Sequence, residues 1–303
     1  MRRIFSSIFL ALLGLCLIYA ETARASLYLQ TAYLKDCKCG DAWTLRLDGG
    51  YTFGEFIGLK QDYAELGVFI APKHTNRAQN FFDARGYWLD NGEGAASVGI
   101  GRRLWDCDSC CILGANLYYD FRHGRLGTFN RIGVGLECLC ECVDFRVNGY
   151  FPLKHGTRHG KFNFFDDFIG PFFETCQEKE FAYLGFDGEI GRYLWCDCFC
   201  NLSCDLYGAI GPYFFQHSER EGVYGGYARL NLSLSEYLIL EARVSSDNTF
   251  HTRFQGSVIF SFPLYQLFLC DPCENPCREL LTQPTIRNGL IFTVPCCSRT
   301  SNF

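Results

Sequence analysis

Hydrophobic and polar side chains alternate along most of this chain, in segments of about ten residues, the length that a membrane-spanning strand needs. In residues 143–151, valine and phenylalanine fall on one face, whereas aspartate, arginine and asparagine fall on the other. Successive side chains of a strand point to opposite faces. A transmembrane β-barrel requires this alternation, with apolar side chains toward lipid and polar side chains toward the lumen. The pattern therefore predicts an all-β, antiparallel transmembrane β-barrel.

The alternation predicts about 12 strands, and residues 43–263 form the barrel. The predicted strands are 43–53, 62–71, 79–89, 95–105, 111–122, 130–139, 143–151, 181–194, 202–214, 223–235, 238–245 and 252–263. An even number brings both ends of the barrel to one side, and the short connections are assigned to the periplasm, as in other outer-membrane barrels. The long Phe-rich connection at residues 154–180 then becomes an outer loop. It could cap the mouth, fold inward or contact a partner.

The chain begins with a pattern typical of a secretory signal peptide, predicted over residues 1–25. Arg2 and Arg3 precede an apolar run at residues 4–19, and an A-x-A cleavage site ends at Ala25. No other stretch of the sequence is long and apolar enough for a membrane helix, so the exported chain can cross a bilayer only as a closed sheet. Residues 26–42 are predicted to be a periplasmic N-terminal segment. Residues 264–303 are predicted to be a Cys-rich periplasmic tail, which could form a strand, a plug or an arm.

Composition narrows the function classes. The net charge of −5 and the lack of a basic run argue against nucleic-acid binding. The 29 Phe and 17 Tyr suit strands and membrane-interface girdles. The sequence contains no G-x-S-x-G, phosphate-loop or H-E-x-x-H motif. We therefore expect no enzymatic activity, no catalytic residues and no cofactor.

Cysteine is abundant, with 19 in the chain, and an exported protein favours disulfides over free thiols. The clusters resemble zinc-ligand spacings, but no histidine accompanies them, so disulfide bonding or intermolecular cross-linking is the preferred interpretation and no metal site is predicted. Most of the cysteines fall at the predicted periplasmic turns and in the terminal segments. The disulfide candidates are Cys37, Cys39, Cys107, Cys110, Cys111, Cys138, Cys140, Cys142, Cys196, Cys198, Cys200, Cys204, Cys270, Cys273, Cys277, Cys296 and Cys297.

A set of charged residues falls on the predicted lumen face of the strands. These residues are Arg46, Glu65, Arg131, Glu137, Arg146, Asp187, Glu189, Glu241 and Arg243. They could line a hydrated pore, or they could pair across the lumen and brace a barrel that is filled by a plug. A lumen of about twelve strands is intermediate between a side-chain-filled barrel and an open porin. The sequence leaves both options open.

Three stretches carry a family resemblance. Residues 111–120 read CILGANLYYD, residues 130–137 read NRIGVGLE, and residues 144–151 read DFRVNGYF. They resemble, in this order, stretches of the β-domain of inverse autotransporters, the intimin and invasin family; residues 185–190, GFDGEI, look like the next strand. The cysteine-rich form is similar to barrels of chlamydia-like bacteria, whose envelopes rely on disulfide cross-linking. The resemblance implies a twelve-stranded barrel that exports an adhesive passenger, although no passenger domain is evident after residue 263.

These observations predict a barrel of the inverse-autotransporter type in the outer membrane of a Gram-negative cell. We expect it to display surface loops for adhesion or an envelope role, and to be cross-linked through disulfides on the periplasmic side. Its expected partners are outer-membrane lipid, other envelope proteins, and a host or cell-surface ligand at the outer loops. The alternatives are a porin-like pore for small solutes and a soluble secreted cysteine-rich β protein.

Overall fold

A computed structural model describes residues 44–72, 78–106, 111–140, 143–153, 156–169, 172–199, 202–235, 237–264 and 283–301. Fifteen strands lie in these ranges. They are β1 (Thr44–Gly54), β2 (Tyr63–Ala71), β3 (Ala78–Leu89), β4 (Gly94–Asp106), β5 (Cys111–Gly124), β6 (Gly127–Cys140), β7 (Asp144–Pro152), β8 (Thr157–Ile169), β9 (Phe172–Ala182), β10 (Leu184–Phe199), β11 (Leu202–His217), β12 (Arg220–Ser235), β13 (Leu238–Asp247), β14 (His251–Pro263) and β15 (Thr293–Ser301). No helix in the described part of the chain is long and apolar enough to cross a membrane.

Twelve of these strands close into one antiparallel barrel, in the order β1-β14-β13-β12-β11-β10-β7-β6-β5-β4-β3-β2. The barrel closes where β1 pairs with β14, with Leu47 opposite Phe262. Closure satisfies the backbone N–H and C=O groups of every barrel strand without leaving an edge, which a membrane-spanning sheet requires. The predicted all-β, antiparallel barrel of about 12 strands is confirmed.

The two faces of the wall differ as the alternation predicts. On β5, Leu113 is 55% exposed, whereas its neighbour Ile112 is 1% exposed. The same alternation runs along β6, where Leu136 faces out and Glu137 is buried. Large apolar side chains thus form the outer surface and polar or charged side chains fill the interior, the arrangement of a barrel surrounded by lipid.

The two ends of the barrel can be told apart by their connections. We call one end the cysteine end: β1 begins and β14 finishes there, and it holds the β4–β5, β6–β7 and β10–β11 connections. We call the other end the sheet end, because the chain between β7 and β10 forms extra strands there. Tight hairpins occur at the sheet end as well, since β5 and β6 stay paired until Gly124 lies opposite Gly127. Short connections therefore occur at both ends of the barrel, because some neighbouring strands stay hydrogen-bonded up to the tight turn that joins them.

A separate three-stranded sheet, in the order β15-β9-β8, lies at the sheet end. The long connection predicted as an outer loop at residues 154–180 is therefore a β-hairpin over most of its length. Its Phe-rich sequence does not alternate strictly, and the β8–β9 register shifts twice, which explains why periodicity did not reveal the strands. The third strand of this sheet, β15, comes from the C-terminal tail and pairs with β9.

The C-terminal tail, predicted over residues 264–303 with a strand, a plug and an arm as its options, contributes both a stretch inside the barrel and a strand. Residues 265–282 lie outside the described residues, but residues 283–292 run inside the barrel and residues 293–301 form β15 at the sheet end. Cys296 and Cys297 lie opposite Lys179 and Glu178 on β9, at the end away from the cysteine end. The physical reason is that the polar lumen supplies hydrogen-bond donors for the tail backbone, and β9 offers a free strand edge for β15.

Candidate functional site: the occupied lumen

Residues 283–292, which we call the lumen segment, cross the interior of the barrel in an irregular conformation. The segment starts near β4 and β10, where Gln283 bonds Arg103 and Tyr193. It ends near the sheet-end part of β5, where Arg122 bonds Ile291. The lumen segment therefore runs from the cysteine end toward the sheet end, where the chain continues into β15.

Inward-facing side chains of the wall bond the backbone of the lumen segment. Arg103 donates to the carbonyl of Gln283 at 2.6 Å, and Arg122 donates to the carbonyl of Ile291 at 2.5 Å. Between them, the side chains of Arg131 and Asn148 donate to the carbonyls of Asn288 and Ile286, and the backbone N–H of Asn288 donates to Tyr150 Oη at 2.8 Å. A buried irregular backbone needs such partners, so the wall holds this segment specifically rather than merely enclosing it.

Arg287 makes the strongest contacts between the lumen segment and the wall. Its guanidinium donates to both carboxylate oxygens of Asp120, at 2.8 Å and 2.6 Å, and to Ser97 Oγ at 2.9 Å. It also lies over the ring of Tyr118, 4.1 Å from the centroid. Asp120 is 0% exposed and accepts a further bond from Arg131 at 2.9 Å. One buried carboxylate thus holds two arginines, one from the wall and one from the lumen segment.

Two glycines make room for these contacts. A side chain at Gly133 would place its Cβ 2.4 Å from Arg287 Nη2, and a side chain at Gly289 would place its Cβ 2.4 Å from Tyr87 Oη. Both separations are shorter than non-bonded atoms allow. Gly133 lies on the wall and Gly289 on the lumen segment, so each surface is shaped for the other.

An aromatic cluster closes the sheet end of the lumen around Phe292. The Phe292 ring lies 5.2 Å from Tyr183, 4.7 Å from Phe215 and 6.4 Å from Phe250. The β1–β2 connection adds Ile57, which is buried in the same cluster. Aromatic pairs at these centroid distances attract one another beyond the burial of their area. The last residue of the lumen segment is therefore the centre of this cluster, which we call the aromatic cap.

The other half of the interior is braced by ion pairs. Arg229 bonds Glu189 at 2.6 Å and also lies 3.5 Å from Glu241, whereas Arg146 pairs with Glu189 and Asp144. A cavity of about 260 Å³ lies between this network and the lumen segment. Its lining extends from Arg46 and Ser235 near the cysteine end to Tyr87 and Leu290 deeper in the barrel. The lumen segment thus lies against β4–β7 and leaves a polar space on the opposite side.

All nine charges predicted from sequence lie on the inner face of the wall. Five of them line the cavity: Arg46, Glu65, Arg146, Glu241 and Arg243. The other four are buried: Arg131, Glu137, Asp187 and Glu189. Sequence reasoning did not select Arg103, Arg122 or Arg287. The inward positions of Arg103 and Arg122 on their strands could have revealed them, whereas Arg287 lies in a segment without periodicity.

Of the seventeen cysteine candidates, the structure describes the sulfur environment of three. Cys111 and Cys140 form a disulfide between β5 and β6, and the Sγ of Cys138 lies 3.7 Å from the Sγ of Cys140. The three sulfurs lie within 4.8 Å of one another, a grouping that could hold a metal only if all three were reduced thiolates. Backbone positions alone are described for Cys196, Cys198, Cys204, Cys296 and Cys297. Cys37, Cys39, Cys107, Cys110, Cys142, Cys200, Cys270, Cys273 and Cys277 lie outside the described residues.

The small sheet is fastened to the rim of the barrel. Glu180 on β9 accepts bonds from the Thr293 hydroxyl at 2.5 Å and from the backbone N–H of Leu126 at 3.0 Å. Lys179 donates to Glu219 in the β11–β12 turn at 3.0 Å, and this hydrogen bond lowers the pKa of Glu219. The β9 strand therefore contacts β15 and two barrel hairpins.

The chain is similar to several solved structures. A solved structure described as "Unveiling the Mechanism Behind the in-meso Crystallization of Membrane Proteins" matches with a TM-score of 0.60 and 14% identity, over 84% of this chain and 100% of that chain. The β-domain of the Bordetella autotransporter BrkA matches with a TM-score of 0.33 and 12% identity, over 73% and 100% of the two chains. The KdgM porin in complex with disordered oligogalacturonate matches with a TM-score of 0.42 and 11% identity, over 72% of this chain and 99% of that chain. No curated protein sequence matches the chain. The class is that of a Gram-negative outer-membrane β-barrel.

A protein-family model matches part of the sequence. The model of the inverse autotransporter β-domain matches residues 58–193, which span β2–β9 and most of β10. Over that range the barrel is similar to the inverse autotransporter β-domain, the family that the three quoted stretches resemble.

Proposed function

We propose that this outer-membrane barrel is a display module of the inverse-autotransporter type. In this proposal the barrel holds its own C-terminal segment in the lumen and presents the β15-β9-β8 sheet at the cell surface for adhesion. The cysteine end faces the periplasm, where its cysteines form disulfides with other envelope proteins. The observation that supports the proposal most directly is the path of residues 283–301, through the lumen and into a strand at the sheet end.

The occupied lumen argues against the porin alternative. The lumen segment is bonded along its length to the wall, and Phe292 is surrounded by aromatic side chains at the sheet end. The remaining cavity of about 260 Å³ is polar, but the aromatic cap lies between it and the sheet end. The apolar outer wall equally argues against the soluble alternative, because a soluble protein rarely exposes a continuous apolar surface of this extent.

An epitope tag would test the orientation. A tag added after Phe303 is expected to bind antibody on intact cells, because the proposal takes β15 to the outside. A matched tag placed between residues 141 and 142, in the connection from β6 to β7 at the cysteine end, should bind antibody only after the outer membrane is permeabilised. If the C-terminal tag also required permeabilisation, the path of the tail or the sidedness of the barrel would be wrong.

A deletion would test adhesion. Excision of residues 160–178 removes most of the β8–β9 hairpin but keeps Glu180, which fastens the sheet to the rim. Adherence to cultured host cells is expected to fall to the level of bacteria that lack the protein. The variant carrying the tag between residues 141 and 142 is the control for expression and folding. Unchanged adherence after the excision would remove the hairpin as the adhesive element.

A further inference from the structure

Three cysteines form a compact sulfur cluster on the outer wall at the cysteine end. Cys111 is the first residue of β5 and Cys140 is the last residue of β6, and the two are directly opposite in the strand pair. Cys138 lies two residues before Cys140, so it shares the same face. Ile112 and Leu139, which alternate with these cysteines, are buried inside the barrel. The three sulfurs therefore point outward, away from the lumen.

Within this cluster, Cys111 and Cys140 are joined and Cys138 is a free thiol. Residues two apart on one face of a strand have Cβ atoms about 6.6 Å apart, whereas a disulfide needs about 3.5–4.5 Å. The sulfurs of Cys138 and Cys140 are 3.7 Å apart. On a regular strand, however, Cys138 cannot take the place of Cys111 as the disulfide partner of Cys140. Strand geometry thus disfavours a Cys138–Cys140 disulfide, and Cys138 is a free thiol beside the closed Cys111–Cys140 disulfide.

The surroundings of Cys138 give access from outside the wall. Cys138 is partly exposed, and it lies opposite Leu113 on β5 and Phe145 on β7, both of which face outward. Because Cys111 and Cys140 occupy strand ends, the cluster lies at the rim of the apolar wall rather than in its middle. A thiol at this rim is within reach of a protein that touches the barrel from the side.

We propose that Cys138 is the site through which this barrel becomes covalently attached to a second protein by thiol–disulfide exchange. The thiolate of Cys138 attacks one sulfur of a disulfide on the partner, and the partner's S–S bond breaks as a bond forms to Cys138 Sγ. The second partner sulfur leaves as a thiolate and takes up the proton that Cys138 lost. One disulfide is consumed and one is formed, so no separate oxidant is needed. The inference rests on the proposed cross-linking role and assigns that role to one residue.

The chemical test uses the purified full-length protein in detergent, with oxidised glutathione as the probe disulfide. Peptide mapping is expected to find a glutathione adduct on Cys138 in the folded protein, and none at this position in Cys138→Ala. The double variant Cys111→Ala with Cys140→Ala should keep the adduct on Cys138. Absence of the adduct until the protein is unfolded, or a native disulfide between Cys138 and another cysteine of the same chain, would overturn the proposal.

The partner is tested in isolated outer membranes on non-reducing gels. Mapping of the high-mass species is expected to join the Cys138 peptide to a peptide of another protein, or of a second copy if the purified barrel forms the same species alone. Cys138→Ala should lose this species and keep the heat-modifiable mobility of a folded barrel. High-mass species that persist unchanged would sink the assignment. Surface exposure of the C-terminal tag is independent of Cys138, so failure here and failure of the display proposal are distinguishable.

Discussion

Replacement of Asp120 by alanine is expected to destabilise the barrel by about 3–5 kcal/mol, the usual cost of removing one partner from a buried ion pair. Asp120 is fully buried and accepts bonds from Arg131, Arg287 and Ser97. Without this carboxylate, two guanidiniums stay inside the wall with no neutralising charge. The free energy of unfolding, measured by denaturant titration in detergent micelles, would report the loss.

An exposed ion pair supplies the control for this prediction. Arg125 is 67% exposed on its side chain and pairs with Glu178 at 2.9 Å. Arg125→Ala should cost less than about 1 kcal/mol, because water already solvates both groups. A second variant isolates the lumen contact: Asp120→Ala should cost less when Arg287 is already methionine, since one stranded charge is then removed. Equal losses for Asp120→Ala and Arg125→Ala would mean that the buried carboxylate does not neutralise the two arginines.

The barrel itself could be predicted from the sequence because its signal is local. Each strand is about ten residues long, and its alternation between lipid and lumen is visible within that length. The face of Arg131 and Glu137 follows directly from the sequence of one strand, because they flank the outward series Ile132, Val134 and Leu136 and have the opposite parity. Closure into twelve strands follows from strand count, since an open sheet edge is not tolerated in lipid.

The occupant of the lumen could not be predicted, because its contacts are long-range and its sequence has no period. Arg287 bonds Asp120 across 167 residues of sequence, and Arg103 bonds the carbonyl of Gln283 across 180. Alternation shows that a polar side chain faces the lumen, but it does not identify the residue that this side chain contacts there. The sequence of the tail therefore allows a strand, a plug or an arm, and the structure makes the tail both a lumen segment and a strand.

The β8–β9 hairpin was missed for a different reason. Its strands lie beyond the barrel wall and do not separate lipid from the lumen. Strict alternation of apolar and polar side chains is therefore not required in them. The pairing breaks register between His159 and Phe162 and again between Phe164 and Phe168. A bulged strand loses the period of two on which sequence reasoning depends.

Truncation of the chain after Leu264 is expected to convert a closed barrel into a conducting one. The full chain should give no channel openings in planar lipid bilayers, because the lumen segment fills one half of the interior and Phe292 organises the aromatic cap. The truncated chain keeps all twelve barrel strands but loses both of these elements. A lumen of about twelve strands is wide enough to hold water once it is emptied, so discrete ion-conducting steps should appear.

A shorter truncation separates closure by the lumen segment from any effect of the surface sheet. A chain that ends after Val294 keeps residues 283–292 and Phe292 but lacks most of β15. It should stay silent in the bilayer, like the full chain, although its small sheet is incomplete. Both truncated forms must show the heat-modifiable mobility of a folded barrel for the currents to be compared. If the chain ending at Leu264 folded and still failed to conduct, the charged network around Glu189 and Arg229 would have to close the lumen without help from the tail.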